Sequence, residues 1–342
     1  MRLSDFDYLL PPELIAQRPS PERGDSRLMT VQRETGTIER RRFNDIVNLL
    51  DERWTLVLND TRVIPARLRG EKERTGAKIE LLLLKPLGEG VWEALAKPGK
   101  RLKPGVAVLF KGGALRAETI GRIDGGAFRF RFNNAENFNA ALEEAGEIPL
   151  PPYIRRLPDA ADRERYQCVY AQHDGSAAAP TAGLHFTRET LRRLQEKGVG
   201  VERITLHVGP GTFQPIQTEN LGEARLHAER AAVSAKTAER LNRFKEKGGR
   251  VCAVGTTTVR TLETAAASGT VEPFDGETSL FIAPGFQFKG VDAVLTNFHL
   301  PKSSLLMLTA AFTGYDLMRA AYETAVQERY RFYSYGDAML VF

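Results

Sequence analysis

Cysteine is scarce here: the 342 residues hold two, Cys168 and Cys252, in no metal-like spacing. That excludes a disulfide framework or a zinc knuckle and points to a reducing compartment, so a cytoplasmic protein is expected. No run of eighteen apolar residues occurs, and no membrane span is expected. The first residues carry Asp5 and Asp7 where a secretory signal needs an apolar run. The five histidines (173, 185, 207, 227 and 299) lie far apart, so no metal site is expected. Internal repeats and low-complexity tracts are lacking too.

What is present is an ordinary globular balance, 42% hydrophobic and 27% charged, in a length that suits two domains. The net charge of +5 and a pI near 9.2 lean toward a polyanionic partner. Residues 28–31 and 37–40 read as a hairpin. Phe43, Ile46, Val47 and Leu50 share a helix face, and 55–58 is a short buried strand. From about residue 64 to 133, short β-like runs (79–84, 91–96, 106–110, 115–120, 128–132) alternate with glycine turns, as in a small antiparallel barrel or sandwich. A helix around 138–145 closes this stretch. Beyond it, helices at 188–197, 237–247, 256–267, 304–312 and 316–330 alternate with strands at 201–206, 250–254, 279–282, 293–298 and 338–342. That alternation implies a largely parallel sheet covered by helices. The expected fold class is therefore α/β: a mixed, largely parallel sheet domain (1–62 and 150–342) with an inserted small antiparallel β-barrel domain (63–149).

Several stretches can carry chemistry. Gly175 to Thr187 is a small-residue loop that holds His185 and ends in a helix cap at Thr187, a common way to hold a polar or anionic group. His207-Val208-Gly209-Pro210-Gly211-Thr212-Phe213 follows a strand and superficially resembles a methyltransferase glycine loop, but it lacks a third glycine and meets Pro215. In a strand His227 and Glu229 would share one face, as an acid–base pair, one half of a metal site or a surface polar pair. Gly255-Thr256-Thr257-Thr258 turns from a strand into a helix start without the lysine of a P-loop. Thr296-Asn297-Phe298-His299-Leu300-Pro301-Lys302-Ser303 lies beyond a strand's carboxyl end, where open α/β sheets bind ligands, and Ser303 or Ser304 can cap the next helix. The cations Lys97, Lys100, Arg101 and Lys103, with Arg155 and Arg156, can meet phosphates or simply face water.

Together these blocks resemble one family: the S-adenosylmethionine:tRNA ribosyltransferase-isomerases of queuosine synthesis. The resemblance runs through Leu58-Asn59-Asp60-Thr61-Arg62-Val63, Ala178-Ala179-Pro180-Thr181-Ala182-Gly183-Leu184-His185-Phe186, His207-Val208-Gly209 and Gly211-Thr212-Phe213. It continues through Val254-Gly255-Thr256-Thr257, the block from Thr296 to Ser303, Glu328-Arg329-Tyr330-Arg331-Phe332 and Tyr335-Gly336-Asp337-Ala338-Met339. It departs at Pro210, where a leucine is expected, and at Thr258, where a serine is usual. The order of the blocks is specific to the family and spans nearly the whole chain.

The resemblance implies transfer and isomerisation of the ribosyl part of S-adenosylmethionine onto 7-aminomethyl-7-deazaguanine at the tRNA wobble position. The product is epoxyqueuosine-tRNA, with adenine and methionine released. S-adenosylmethionine is then a co-substrate, no cofactor is tightly bound, tRNA is the partner, and a monomer is expected. Such chemistry needs a base for the carbon beside the sulfonium and an acid for departing adenine. His185, His207 and His299 are the first candidates, followed by Glu229, His227 and Asp337, with base and acid interchangeable among them. Thr181, Ala182, Gly183, Gly209, Gly211, Thr212, Gly255, Thr256, Thr257, Thr296 and Asn297 are expected to hold the co-substrate. Lys97, Lys100, Arg101, Lys103, Arg155 and Arg156 are expected on tRNA. The competing readings are an S-adenosylmethionine-dependent RNA methyltransferase and an RNA-binding module without turnover.

Overall fold

The computed structural model describes residues 1–133, 135–209, 216 and 218–342. The chain opens with the expected hairpin, β1 (Arg27–Val31) and β2 (Ile38–Arg42). A short helix, α1 (Ile46–Leu49), then leads into β3 (Trp54–Asn59). Next come β4 (Thr61–Val63), β5 (Arg67–Lys72), β6 (Lys78–Gly88), β7 (Val91–Lys97), β8 (Ala107–Phe110), β9 (Leu115–Arg122) and β10 (Phe128–Phe132). They are followed by α2 (Phe138–Ala145), β11 (Gly146–Glu147), α3 (Asp162–Arg165) and β12 (His173–Ser176). The remainder runs α4 (Arg188–Glu196), β13 (Gly200–Leu206), β14 (Glu229–Val233), α5 (Ala235–Glu246), β15 (Arg250–Val254), α6 (Thr256–Ala265), β16 (Phe274–Thr278), β17 (Ala293–Asn297), α7 (Ser304–Thr313), α8 (Tyr315–Gln327) and β18 (Ala338–Val341).

Six antiparallel strands, β5-β6-β7-β10-β9-β8, close into a barrel when β8 returns to β5. The alternation of β10 fills it: Phe128, Phe130 and Phe132 are buried while Arg129 and Arg131 face water. The sequence gives little sign of β5, because Arg67-Leu68-Arg69-Gly70-Glu71-Lys72 has one large apolar residue. Barrel closure makes it a strand, with Leu68 in the barrel core. Gly70 permits that closure, since a Cβ there would lie 2.3 Å from the Leu109 carbonyl oxygen.

Among the described residues the large sheet has nine strands in the order β16-β14-β13-β3-β15-β17-β18-β1-β2. Its centre, β13-β3-β15-β17, is parallel, while β14, β16 and β18 join antiparallel. All six residues of β3 are buried, as expected when both faces are covered. Val57 belongs to one apolar core and Leu56 and Leu58 to the other, so the strand divides them. One expectation is corrected: residues 279–282 form no strand. The pairing with β14 involves Phe274–Thr278 instead, and Ile282 is buried in the core outside any strand. β3 has β13 on one side and β15 on the other, and the chain crosses over between them. Such a reversal opens a crevice beyond the strands' carboxyl ends.

Candidate active site

A cavity of about 300 Å³ occupies that crevice. Three of the four central strands reach it with the residues at their carboxyl ends. Val208 follows β13, Gly255 to Thr257 join β15 to α6, and Thr296 to Ser303 join β17 to α7. Ala179, Pro180, Thr181 and Ala182 form another wall, and Tyr153, Tyr333 and Ser334 a third. Gly255 has φ +93, a conformation that lets the chain turn at once from strand to helix. Ser303 caps α7 by accepting from the Leu306 N–H at 3.2 Å. The first turns of α6 and α7 thus both border the cavity.

Asn297 is tied behind its wall. Its Nδ2 donates to the Tyr333 carbonyl oxygen at 3.0 Å and to His185 Nε2 at 3.2 Å. The bond to the carbonyl identifies Nδ2 as the amide nitrogen on that side, so His185 Nε2 is an acceptor and its Nδ1–H donates to Ser26 Oγ at 2.7 Å. His185 stacks on Phe43 with ring centroids 5.0 Å apart and lines no part of the cavity. Burial, helped by Arg23 and Arg331, lowers its pKa to about 3. Tyr333 holds φ +73, costly backbone for a bulky residue, and it delivers the carbonyl that Asn297 needs. Asn297 Oδ1 is buried and accepts no hydrogen bond.

His299 does line the cavity. Its Nε2 lies 2.7 Å from Thr296 Oγ1, its N–H donates to the Tyr322 hydroxyl at 3.0 Å, and its carbonyl accepts from the Tyr8 hydroxyl. Burial alone lowers its pKa to about 3, so the ring is neutral. Lys302 also borders the cavity but pairs with Asp7 at 2.6 Å.

The structure places the other sequence candidates elsewhere. His207 bonds Thr61 Oγ1 at 2.8 Å and packs its ring against Gly175. Glu229 is buried in an ion pair with Arg260 and accepts from the Gly209 N–H at 2.9 Å. His227 is exposed ahead of β14, so the two do not share a strand face. Asp337 accepts from the Arg27 and Arg331 N–H groups at 2.9 and 2.8 Å and closes the turn beside β1. Gly183 lies off the cavity: a Cβ there would stand 2.1 Å from the Tyr170 hydroxyl, so close packing demands glycine. Gly209 does not line the cavity, whereas Thr181, Ala182, Gly255, Thr256, Thr257, Thr296 and Asn297 do. Pro210, Gly211 and Thr212 lie outside the described residues. Thr258 donates to the Val254 carbonyl at 2.7 Å, a bond that serine could equally make. Among the described residues no group of three or more His, Cys, Asp or Glu side chains could hold a metal.

Of the expected tRNA-facing cations, Lys97, Lys100, Arg101, Lys103 and Arg155 are exposed. Arg156 is not available in that way: buried Asp162 grips it with two bonds of 2.6 and 2.7 Å. Sequence reasoning missed Tyr153, Tyr333, Ser334 and Val208 in the cavity wall. Val208 lies in the His207-Val208-Gly209 block that the sequence does mark. Tyr153, Tyr333 and Ser334 carry no local signal, because their wall forms only when 153 and 333 meet, ring to ring, with centroids 4.2 Å apart.

The Glu229–Arg260 pair supports a stability prediction. Both side chains are nearly sealed, at 5% and 3% exposed. Glu229→Gln keeps the shape and the acceptor for Gly209 but strands a buried cation. Loss of one partner in such a pair costs about 3–5 kcal/mol, which urea unfolding would measure. A second change, Arg260→Met, should recover much of that loss. An unfolding free energy unchanged in Glu229→Gln would mean that Arg260 is compensated by other groups.

A mixed, mostly parallel sheet with a cavity of about 300 Å³ at its carboxyl edge, carrying a closed barrel between two of its strands, defines the class of this chain as α/β with a β-barrel. The chain matches the model of the queuosine biosynthesis protein family over residues 3–341, and it belongs to that family. It is 53% identical to the S-adenosylmethionine:tRNA ribosyltransferase-isomerase of Symbiobacterium thermophilum and 51% identical to that of Acetivibrio thermocellus, over 100% of both chains in each case. A crystal structure of S-adenosylmethionine tRNA ribosyltransferase from Thermotoga maritima is 41% identical. It aligns with a TM-score of 0.57 over 99% of this chain and 100% of that one.

Proposed function

We propose that this protein transfers and isomerises the ribosyl moiety of S-adenosylmethionine onto 7-aminomethyl-7-deazaguanine at the tRNA wobble position, releasing adenine and methionine. The observation that carries the reading is the cavity itself, walled by the Thr181-Ala182, Gly255–Thr257 and Thr296–Ser303 blocks in a chain of this family. S-adenosylmethionine binds there. The first turns of α6 and α7 offer partial positive charge and free N–H groups to its carboxylate. His299 is the proton-moving group in the cavity, and His185 acts through Asn297. The inserted barrel and the cations at 97–103 serve the tRNA.

Two experiments test this reading. The first is one incubation with S-adenosylmethionine and precursor-bearing tRNA, followed by separation of the small products. Adenine and methionine are expected. S-adenosylhomocysteine would indicate methyl transfer, and no turnover a binding module.

The second follows from the carbon skeleton. Closing a five-membered carbocycle from the ribose carbons requires a bond from the 5′ to the 1′ carbon. The 5′ carbon starts with two hydrogens and ends with one, the sulfonium making it acidic enough for a base to take a proton. With two deuteriums at that carbon, the product nucleoside should retain one. Recovery of both would remove the deprotonation step and the need for a base.

Contact with tRNA has its own readout. Lys100→Ala with Arg101→Ala should weaken tRNA binding at low salt. It should also flatten the slope of log affinity against log salt by roughly 0.7–0.9 per lost phosphate contact. S-adenosylmethionine binding should stay the same, and an unchanged slope would take this loop off the RNA.

A further inference from the structure

A second hollow, of about 340 Å³, lies between the barrel and the segment that follows it. Its walls are largely aliphatic: Leu82 and Leu95 on the barrel face Pro149, Pro151 and Ala177. In β6 it is Ile79, Leu81 and Leu83 that fill the barrel, so Leu82 stands on the outer face. An isolated small barrel would present a polar residue there. Leu82 and Leu95 are instead half-buried beside the proline-rich segment.

Arg67 supplies a planar surface. Its Nη1 donates to Glu80 Oε1 at 2.8 Å and its Nη2 to the Leu150 carbonyl at 3.3 Å. Those in-plane bonds fix the guanidinium and leave its flat face as what it can offer a ligand. Lys97 lines the same hollow and begins a loop that continues through the exposed Lys100, Arg101 and Lys103. No acidic residue occurs between 97 and 103. Elsewhere on the barrel Lys78 pairs with Glu71, Lys85 with Glu277 and Lys111 with Glu144, while Lys72 donates to the Arg101 carbonyl.

The two hollows share a wall. Pro152 and Ala177 line this one, while Tyr153 and Ala179 line the active-site cavity. Two residues of chain span at most about 7 Å, so a ligand in one hollow lies within reach of a neighbour in the other.

We propose that this second hollow holds the base of an unpaired nucleotide adjacent to the one being modified, in the same RNA strand. Its phosphate lies toward the Lys97–Lys103 loop. This rests on the function proposed above. Aliphatic walls and a fixed guanidinium plane suit the face of a base and tolerate different sequences, as single-stranded RNA sites do. The unpaired cations suit its phosphate. The shared wall places the target nucleotide's neighbour there.

The test uses the whole protein and an RNA stem-loop that carries the 7-aminomethyl-7-deazaguanine nucleotide. 2-Aminopurine is placed on its 5′ side in one RNA and on its 3′ side in another. Anisotropy of a distant label reports RNA binding, and 2-aminopurine emission reports the environment of each neighbour. Binding to the wild-type protein is expected to change the emission severalfold at one of the two positions. Leu82→Glu, and separately Leu82→Trp to fill the space, should abolish that change and weaken RNA binding about ten- to a hundredfold. Calorimetric affinity for S-adenosylmethionine should remain that of wild type in both. RNA that binds without an emission change at either position overturns the proposal, as does a signal that survives in both variants. A wild-type protein that does not bind the RNA overturns the functional reading along with it, and the anisotropy alone reveals that case.

Discussion

His299→Ala is expected to lower turnover by roughly a hundred- to ten-thousandfold, the usual contribution of a general acid or base, with the protein still folded. Among the described residues His299 is the one histidine in the cavity wall, and its ring is held through Nε2 by Thr296. Its backbone is fixed independently, by the Tyr322 and Tyr8 hydroxyls, so removing the ring leaves the wall in place. His185→Ala should behave differently. That ring bonds Ser26 on one side and Asn297 on the other and stacks on Phe43. Its loss leaves a cavity and an unsatisfied amide hydrogen, at a cost of a few kcal/mol. Turnover per folded molecule should fall less than in His299→Ala. Steady-state turnover and urea unfolding on both variants decide the matter. An equal loss of turnover at unchanged stability would put His185 in contact with the reacting atoms and contradict the layered arrangement.

Acid should destabilise the protein well before its carboxylates are all protonated. Burial lowers the pKa values of His185 and His299 from 6.5 to about 3. The unfolded chain takes up a proton at each ring near pH 6.5, and the folded chain does not until about pH 3. Between those values the unfolded state binds more protons, so stability falls as pH falls. The two rings contribute fully above pH 6.5 and lose their contribution progressively toward pH 3. One pKa unit is worth about 1.4 kcal/mol, so each ring accounts for several kcal/mol across the window. In His299→Gln the dependence of unfolding free energy on pH should be shallower by about 1.4 kcal/mol per pH unit between pH 6 and 4. An identical slope in the variant and the wild type would mean that His299 is charged, or exposed, in the folded protein.

Much of the fold is legible locally. Phe128 to Phe132 alternate with period two and form a barrel strand, and Thr187 caps α4 through the Thr190 N–H. β5 and β14 are far less legible, because neighbouring strands hold them more than their own apolar content does. The site divides in the same way. Thr181, Gly255 to Thr257 and Thr296 to His299 sit beside strand ends or helix starts, which a sequence pattern can locate, and all of them but Phe298 line the cavity. His185, His207 and Glu229 belong to the same kinds of block, yet they point into other surroundings.

The sequence by itself determined the family's blocks, the helix caps, the central parallel strands and the barrel's alternation, because each depends on residues a few positions apart. Only the tertiary structure decided which histidine reaches the cavity, that Arg156 is spent on Asp162, and that Tyr153 meets Tyr333. A side chain's partner is set by what other segments bring beside it, and those segments lie more than a hundred residues away for His185 with Asn297 and for Tyr153 with Tyr333. Burial follows from the same assembly. The neutrality of His185 and His299 at ordinary pH is therefore a property of the packed molecule, since desolvation exists only once the surrounding elements have closed over the ring.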